Sequence, residues 1–482
     1  MIDLRPVGYV IGLLVAALGG TMVVPMLVDL AAGNGHWHVF LQSATIVGLV
    51  GGLMALGCAN GVVERISIQQ TFLLTTAVWV FLPLFGAVPF VLGETRASLT
   101  DALFEAMSGM TTTGSTVFTG LDALPKGILL WRSMLQWFGG IGIIVMAMVF
   151  LPELRVGGMQ IFRSEAFETM GKILPRAAEI ASQISGIYVV LTFLCFLSYL
   201  ALGMTSFEAV NHALTTLSTG GFSTTDQSFG AFQGLPEYVA ALFMISASLP
   251  FVRYVQLLGG TARPLWQDSQ VRAFLAMIAL VSLVLAIYQM AADERAFEPS
   301  VREALFHVTS IVSGTGYASV DYQLWGSFPV VIFFFIGLVG GCAGSTCCSV
   351  KIFRYQIMLS AMVAQIRRIH SPHGVFSARF DGRPVSEDVM SSVMGFMVLF
   401  VVSLGVLSVL LGMTGLDFVT ALSGAATTIA NIGPGLGTVI GPAGTFAPLN
   451  DVAKWLLTFG MLLGRLELMA VLVLLTFNFW RT

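Results

Sequence analysis

Ten stretches of this chain are apolar enough and long enough to cross a bilayer, near residues 6 to 30, 40 to 58, 70 to 92, 127 to 151, 177 to 203, 236 to 258, 272 to 292, 326 to 362, 388 to 413 and 452 to 480. A bilayer-spanning helix needs roughly 20 such residues. Lipid offers a backbone no hydrogen-bond partner, so each stretch is predicted to be helical. Charged residues are 10% of the 482, against about a quarter in a soluble protein. A soluble enzyme is excluded, and an all-α polytopic membrane protein with ten transmembrane helices is expected. The first stretch, Pro6 to Leu30, is longer than a signal-peptide core and is kept as a span. The net charge of -3 points to no polyanionic partner. Cys58, Cys195, Cys342, Cys347 and Cys348 lack the paired spacing of a zinc site and are read as small packing residues.

Cytoplasmic loops carry an excess of Lys and Arg. Sixteen basic residues fall on the side of the N-terminus, among them Arg65, Arg155, Arg163, Lys172 and Arg367, and six on the other side. One, Arg465, is left inside a span. Both termini are therefore predicted to be cytoplasmic, as an even number of spans also requires. The longest cytoplasmic connection, from about Tyr355 to Glu387, is basic. It reads either as a topology signal or as a docking surface.

Shorter apolar stretches lie between the spans near 99 to 112, 206 to 218, 302 to 313 and 417 to 430, and each ends in small polar residues. They are too short to cross and are expected to re-enter. They align on one glycine: MSGMTTTGST on Gly114, ALTTLSTGGF on Gly220, TSIVSGTGYA on Gly316 and ATTIANIGPG on Gly433. The intervals of 106, 96 and 117 residues each hold a span out, a span in and another re-entrant segment. The predicted unit is helix, pore helix, extended Thr-Gly segment, helix, repeated four times after two extra N-terminal spans.

Extended backbone at membrane depth is tolerated only where protein buries it or it lines water. Four such segments around one axis would aim carbonyl oxygens at a common centre, and short helices would add the partial negative charge of their C-terminal ends. A bare monovalent cation is the fitting ligand. Small residues of this kind also serve close helix packing, but four copies at matching depth favour a pore. Glu105, Asn211 and His307, nine residues before their glycines, either steer cations or bond neighbouring backbone. Asp226 and Asp321 are placed to concentrate cations at the outer mouth.

The motifs TTTGST, STGGFST, SGTGYAS and NIGPGLG, an interrupted eighth span and GRLE in the last span together resemble the TrkH-type membrane subunits of bacterial Trk potassium-uptake systems. KtrB and the plant HKT transporters share that superfamily. The resemblance covers essentially the whole chain. It implies potassium as the transported ion, fourfold pseudosymmetry, a homodimer in the bacterial inner membrane, and a cytosolic TrkA-type nucleotide-binding partner. The filter is then expected at Thr112, Thr113 and Gly114; Ser218, Thr219 and Gly220; Gly314, Thr315 and Gly316; and Asn431, Ile432 and Gly433. With one glycine per repeat, where a potassium-channel strand has the two of TVGYG, imperfect discrimination against sodium is expected. The organisation expected is two extra helices in 1–66, pore repeats in 67–157, 158–262 and 263–366, and a basic loop with the fourth repeat in 367–482.

The eighth stretch is too long for one straight crossing. Near its middle stand Gly340, Gly341, Cys342, Ala343, Gly344, Ser345 and Thr346. Glycine weakens a helix interior by about 1 kcal/mol, so a break is expected there, in a position to lie across the pore below the filter. The alternative is a close-packed small-residue interface. The resemblance supports a gating loop. Arg465 is costly at mid-membrane and such charges usually face cavities; it is expected to bind the 340 to 346 loop as part of the gate, the alternative being a structural ion pair with Glu467. The chain has no P-loop and no GxGxxG followed by a suitable acidic residue, so nucleotide control would come through a partner. A secondary transporter of two inverted repeats is disfavoured because the repeats share one topology. A proton- or sodium-coupled symporter on this scaffold stays open, and a membrane enzyme finds no catalytic constellation.

Overall fold

The computed structural model describes residues 3–61, 67–149, 158, 159, 161, 173–292 and 294–481. Arg65, Arg155, Arg163 and Lys172 lie outside the described residues. Seven described helices are long and apolar enough to cross a membrane: Arg5–Ala32, Trp37–Gly61, Ile68–Leu92, Lys126–Ala147, Ala181–Ala201, Ser269–Ala292 and Glu387–Met413. Their outer faces expose apolar side chains such as Leu53 at 67% and Val401 at 62%, a surface that only lipid covers without penalty.

Three of the ten expected spans are not single straight helices. The sixth is Leu235–Ala247 and Phe251–Leu258, bent by 89°; Pro250 between them has no N–H to give and excludes helix from the residue before it. The eighth is Ser327–Gly337 and Ile352–His370, with the residues between them non-helical. The break is wider than the seven small residues from Gly340 to Thr346. The tenth is Asp451–Arg465, Met469–Leu474 and Phe477–Trp480. It stops because Glu467 and Leu468 adopt φ of 55° and 53°, which a right-handed helix cannot pass through.

Four shorter helices carry the segments that matter most: Leu99–Met110, Ser206–Leu217, Phe297–Ser313 and Phe418–Ala430. The first two have 12 residues each, about 18 Å at 1.5 Å per residue, well short of a 30 Å hydrocarbon core. Local sequence starts them. Ser98 Oγ accepts the Asp101 N–H at 3.1 Å, Thr205 Oγ1 that of Glu208 at 3.3 Å, and Asp417 Oδ2 that of Thr420 at 3.1 Å.

Each of the six buried carboxylates among the described residues has a basic partner: Asp29 with His36, Glu105 with Arg132, Glu237 with Arg302, Asp268 with Arg253, Glu303 with Arg295, and Glu467 with Arg354. On the basic connection, Ile352–His370 continues as helix, and Arg379–Phe380 pairs with Arg383–Pro384. Asp381 and Gly382 turn this ribbon with positive φ at both positions, as a two-residue hairpin requires.

Candidate functional site

Each short helix ends where its chain turns left-handed, at Thr112 (φ 53°), Thr219 (φ 52°), Gly314 (φ 75°) and Asn431 (φ 50°). Two residues on, each chain has a glycine of positive φ: Gly114 (84°), Gly221 (80°), Gly316 (77°) and Gly433 (116°). The residues between, Thr113, Gly220, Thr315 and Ile432, donate their N–H to the carbonyls of Ser108, Thr215, Ser310 and Thr427, five positions back, at 2.8, 2.9, 2.9 and 2.9 Å. The second segment is therefore one residue out of the expected register. Gly221, not Gly220, matches the other three glycines, Gly220 takes the place of Thr113, and Ser218 takes that of Thr111.

The four segments meet. A Cβ on Gly114 would overlap the carbonyl oxygen of Gly220, one on Gly221 that of Thr315, and one on Gly316 that of Ile432. One on Gly433 would lie 2.9 Å from the carbonyl oxygen of Thr113, which closes the circuit. A cavity of about 70 Å³ touches all four glycines, with Arg132 and Asp226 also in its wall. The Gly220 carbonyl differs from the rest in accepting a side-chain donor, Gln136 Nε2, at 2.5 Å, while Gln136 Oε1 accepts the Phe222 N–H at 3.0 Å.

Behind these segments the buried polar groups of the short helices hold the outgoing chain. Glu105 accepts the Val117 N–H and the Thr116 hydroxyl, both at 2.9 Å, and pairs with Arg132 at 2.7 Å. His307 Nε2 accepts the Ser319 N–H at 3.2 Å. In the corrected register the matching residue of the second repeat is His212, whose Nε2 lies 3.1 Å from Ser223 Oγ. Asn211 is one position off and instead takes the Ser133 hydroxyl at 2.8 Å. All are fully buried and bond neighbouring groups. Asp226 is exposed and accepts the Gly120 and Leu121 N–H groups at 2.8 and 3.1 Å. Asp321 caps a short turn through the Gln323 N–H at 3.0 Å and does not line the cavity.

The non-helical part of the eighth span packs against the base of this assembly. Its two ends are tied by the Gly340 N–H to the Val350 carbonyl at 2.9 Å and the Ile352 N–H to the Gly341 carbonyl at 3.2 Å. The bend at Pro250 leaves the last carbonyls of Leu235–Ala247 without helical partners. The loop takes them: the Thr346 hydroxyl donates to Ala247 O at 3.0 Å, and the Cys342 N–H to Ser248 O at 3.1 Å. Ala343 N–H reaches Gln270 Oε1 at 2.9 Å. Cys348 Sγ sits 3.6 Å from Thr112 Oγ1, which joins the loop to the base of the first segment.

Arg465 is 2% exposed. Its Nη2 donates to Gly139 O at 2.9 Å and its Nη1 to Thr346 O at 3.4 Å and to Cys348 Sγ. Trp79 lies 5.3 Å from the guanidinium. The Arg465 Nε has no acceptor among the described residues. Among the described residues no carboxylate pairs with it, because Glu467 is taken by Arg354. The expected link between Arg465 and the loop is formed at Thr346, and the alternative pair with Glu467 is not. A space of only about 20 Å³ remains beside Arg465, Cys348 and Lys351.

A model of the TrkH family, described as cation transport protein, matches residues 37–479. The chain belongs to this family. It is similar to the Trk system potassium uptake protein TrkI of Halomonas elongata, 43% identical over 99% of this chain and 97% of TrkI. The Trk system potassium uptake protein TrkH of Salmonella typhimurium is 36% identical over 99% of both chains. The crystal structure of the potassium transporter TrkH from Vibrio parahaemolyticus superposes with a TM-score of 0.92 at 33% identity, covering 100% of both chains. A cation-transport family places the chain among membrane transporters and outside the enzymes.

Within this TrkH-family chain, sequence reasoning missed Gly221, His212, Gln136 and Trp79, and it read Cys348 as packing. Gly221 and His212 are recoverable from one signal, the adjacent glycines at 220 and 221, which allow two registers. Cys348, Trp79 and Gly139 carry no local signal, since their role is contact with Arg465.

Proposed function

We propose that this chain is the potassium-conducting membrane subunit of a Trk uptake system, a channel-like pore with a four-segment selectivity filter. The observation that supports it is the closed circuit in which each positive-φ glycine abuts the preceding carbonyl of the next segment, around a cavity common to all four. Where the segments meet, the groups that abut the glycines are backbone carbonyl oxygens, which suit a bare cation. The names of the relatives support potassium as the cargo. In this reading the chain crosses ten times, eight crossings forming four helix–pore helix–helix units about a pseudo-fourfold axis. Unit boundaries fall near 66, 157, 262 and 366.

Arg465 and the loop from Gly340 to Thr346 form the gate. A positive charge with no carboxylate partner among the described residues repels a cation below the filter, and the small space beside it has room for about one water. The subunit works as a homodimer in the bacterial inner membrane with both termini cytoplasmic. A TrkA-type nucleotide-binding subunit docks on the exposed basic residues Arg367, Arg368, Arg379 and Arg383, whereas Lys351 and Arg354, at the start of the basic stretch, are buried and take no part.

Potassium and sodium flux into proteoliposomes tests the filter. Replacing Gly316 by Ser puts a side chain against the Ile432 carbonyl at a φ of 77°. Potassium flux is expected to fall and its advantage over sodium to shrink; unchanged selectivity in the Gly316→Ser protein refutes the filter assignment.

A further inference from the structure

A cavity of about 560 Å³ separates the first, third and fourth spans, Arg5–Thr21, Ile68–Gly86 and Lys126–Val149. It is several times the roughly 150 Å³ of an apolar cavity that takes up a benzene ring. Val10, Leu14, Val78, Met110 and Phe138 are among its walls. Thr21 and Ser185 also reach it, but each hydroxyl donates to a carbonyl of its own helix, Leu18 and Ala181, at 2.7 Å. Water in a cavity needs two to four polar partners; beyond these two hydroxyls, whose protons are spent, the described wall offers the Thr75 hydroxyl and the Trp79 indole N–H, few polar groups for about 560 Å³. All three walls are membrane-spanning, so the cavity lies at bilayer depth. Leu14 at its edge is 38% exposed and continues into Leu13 at 47%, on the lipid-facing side of the first span.

We propose that this cavity binds an acyl chain of a membrane phospholipid, which enters past Leu14 and packs against Trp79. Trp79 is 4% exposed and lies between the cavity and the Arg465 guanidinium, and a Cβ added at Gly142 of the fourth span would lie 3.8 Å from its ring. An acyl chain supplies the dispersion contacts that an empty apolar space forfeits, and so supports the ring that faces Arg465. This site does not depend on the filter or gate reading, and neither does its test.

The full chain is reconstituted in phosphatidylcholine vesicles whose acyl chains are plain or brominated at mid-chain. The Trp79 fluorescence is obtained as the difference between the unmodified protein and Trp79→Phe, and again from Trp79→Tyr, which keeps a polar-tipped aromatic beside Arg465. Brominated chains are expected to quench this difference, and Ala17→Phe, which places a ring in the cavity and obstructs it, is expected to restore much of it. The proposal is overturned if the difference is equally bright in both lipids, as when a second copy of this chain covers the cavity. Quenching by aqueous iodide, the mark of a water-filled space, overturns it as well.

Discussion

At Gly221 two independent demands coincide. Its φ of 80° places it in the left-handed region, where a side chain costs roughly 1–2 kcal/mol. A Cβ would also overlap the carbonyl oxygen of Thr315, which is backbone and cannot rotate away. Gly220 faces neither demand in full: its φ is not positive, and an added Cβ meets only the end of the Gln136 side chain. Gly221→Ala is therefore expected to abolish potassium flux, and Gly220→Ala to reduce it less; the reverse order would refute the corrected register. Arg465→Ala removes a buried cation that has no carboxylate partner among the described residues and is expected to raise the transport rate several-fold in proteoliposomes. An unchanged or lower rate in a correctly inserted protein would contradict the gate. Arg465 stood out in the sequence as the basic residue placed midway along an expected span. Its partners did not, because Thr346, Cys348 and Gly139 are 119, 117 and 326 residues away along the chain.

Three expected spans are broken, and hydropathy does not register the breaks because it reads composition, not continuity. Two of the breaks are complementary. The bend at Pro250 frees carbonyls at Ala247 and Ser248, and the non-helical part of the eighth span supplies the donors that satisfy them. Buried carbonyls left unpaired cost about 1–3 kcal/mol each, so each break makes the other tolerable. The Thr346 hydroxyl contributes one of these bonds. Thr346→Val removes it while keeping the shape, at a net cost of about 1 kcal/mol. If the loop's closed position is the resting one, about a fivefold rise in basal flux is expected, since 1 kcal/mol changes a two-state ratio by about that factor. The short helices were more legible than the long ones: serine, threonine or aspartate caps start three of them, and turns into left-handed backbone end all four.

On the scale of the whole molecule, buried charge is arranged to stay put. All six buried carboxylates among the described residues are paired with a basic group, and breaking a buried pair typically costs 3–5 kcal/mol. A proton-coupled transporter needs an Asp, Glu or His that changes its protonation within the membrane; the described buried carboxylates are paired, and the His212 and His307 rings are held by neighbouring backbone and hydroxyl groups. Potassium flux is accordingly expected to be insensitive to an imposed pH gradient at fixed membrane potential; acceleration by an inward proton gradient would favour the symporter. Composition and local pattern were enough to establish three features of this protein. A low charge content dictated a helical membrane protein, the recurring Thr-Gly segments marked where non-helical backbone enters it, and Arg465 marked a charge at mid-span that the fold buries. Three others emerged only from the packed chain: the register of the second segment, the matching of the two broken spans, and the partners of Arg465. Adjacent glycines are interchangeable as letters and differ only in the φ that surrounding chains impose. Contacts across hundreds of residues likewise leave no periodicity to read.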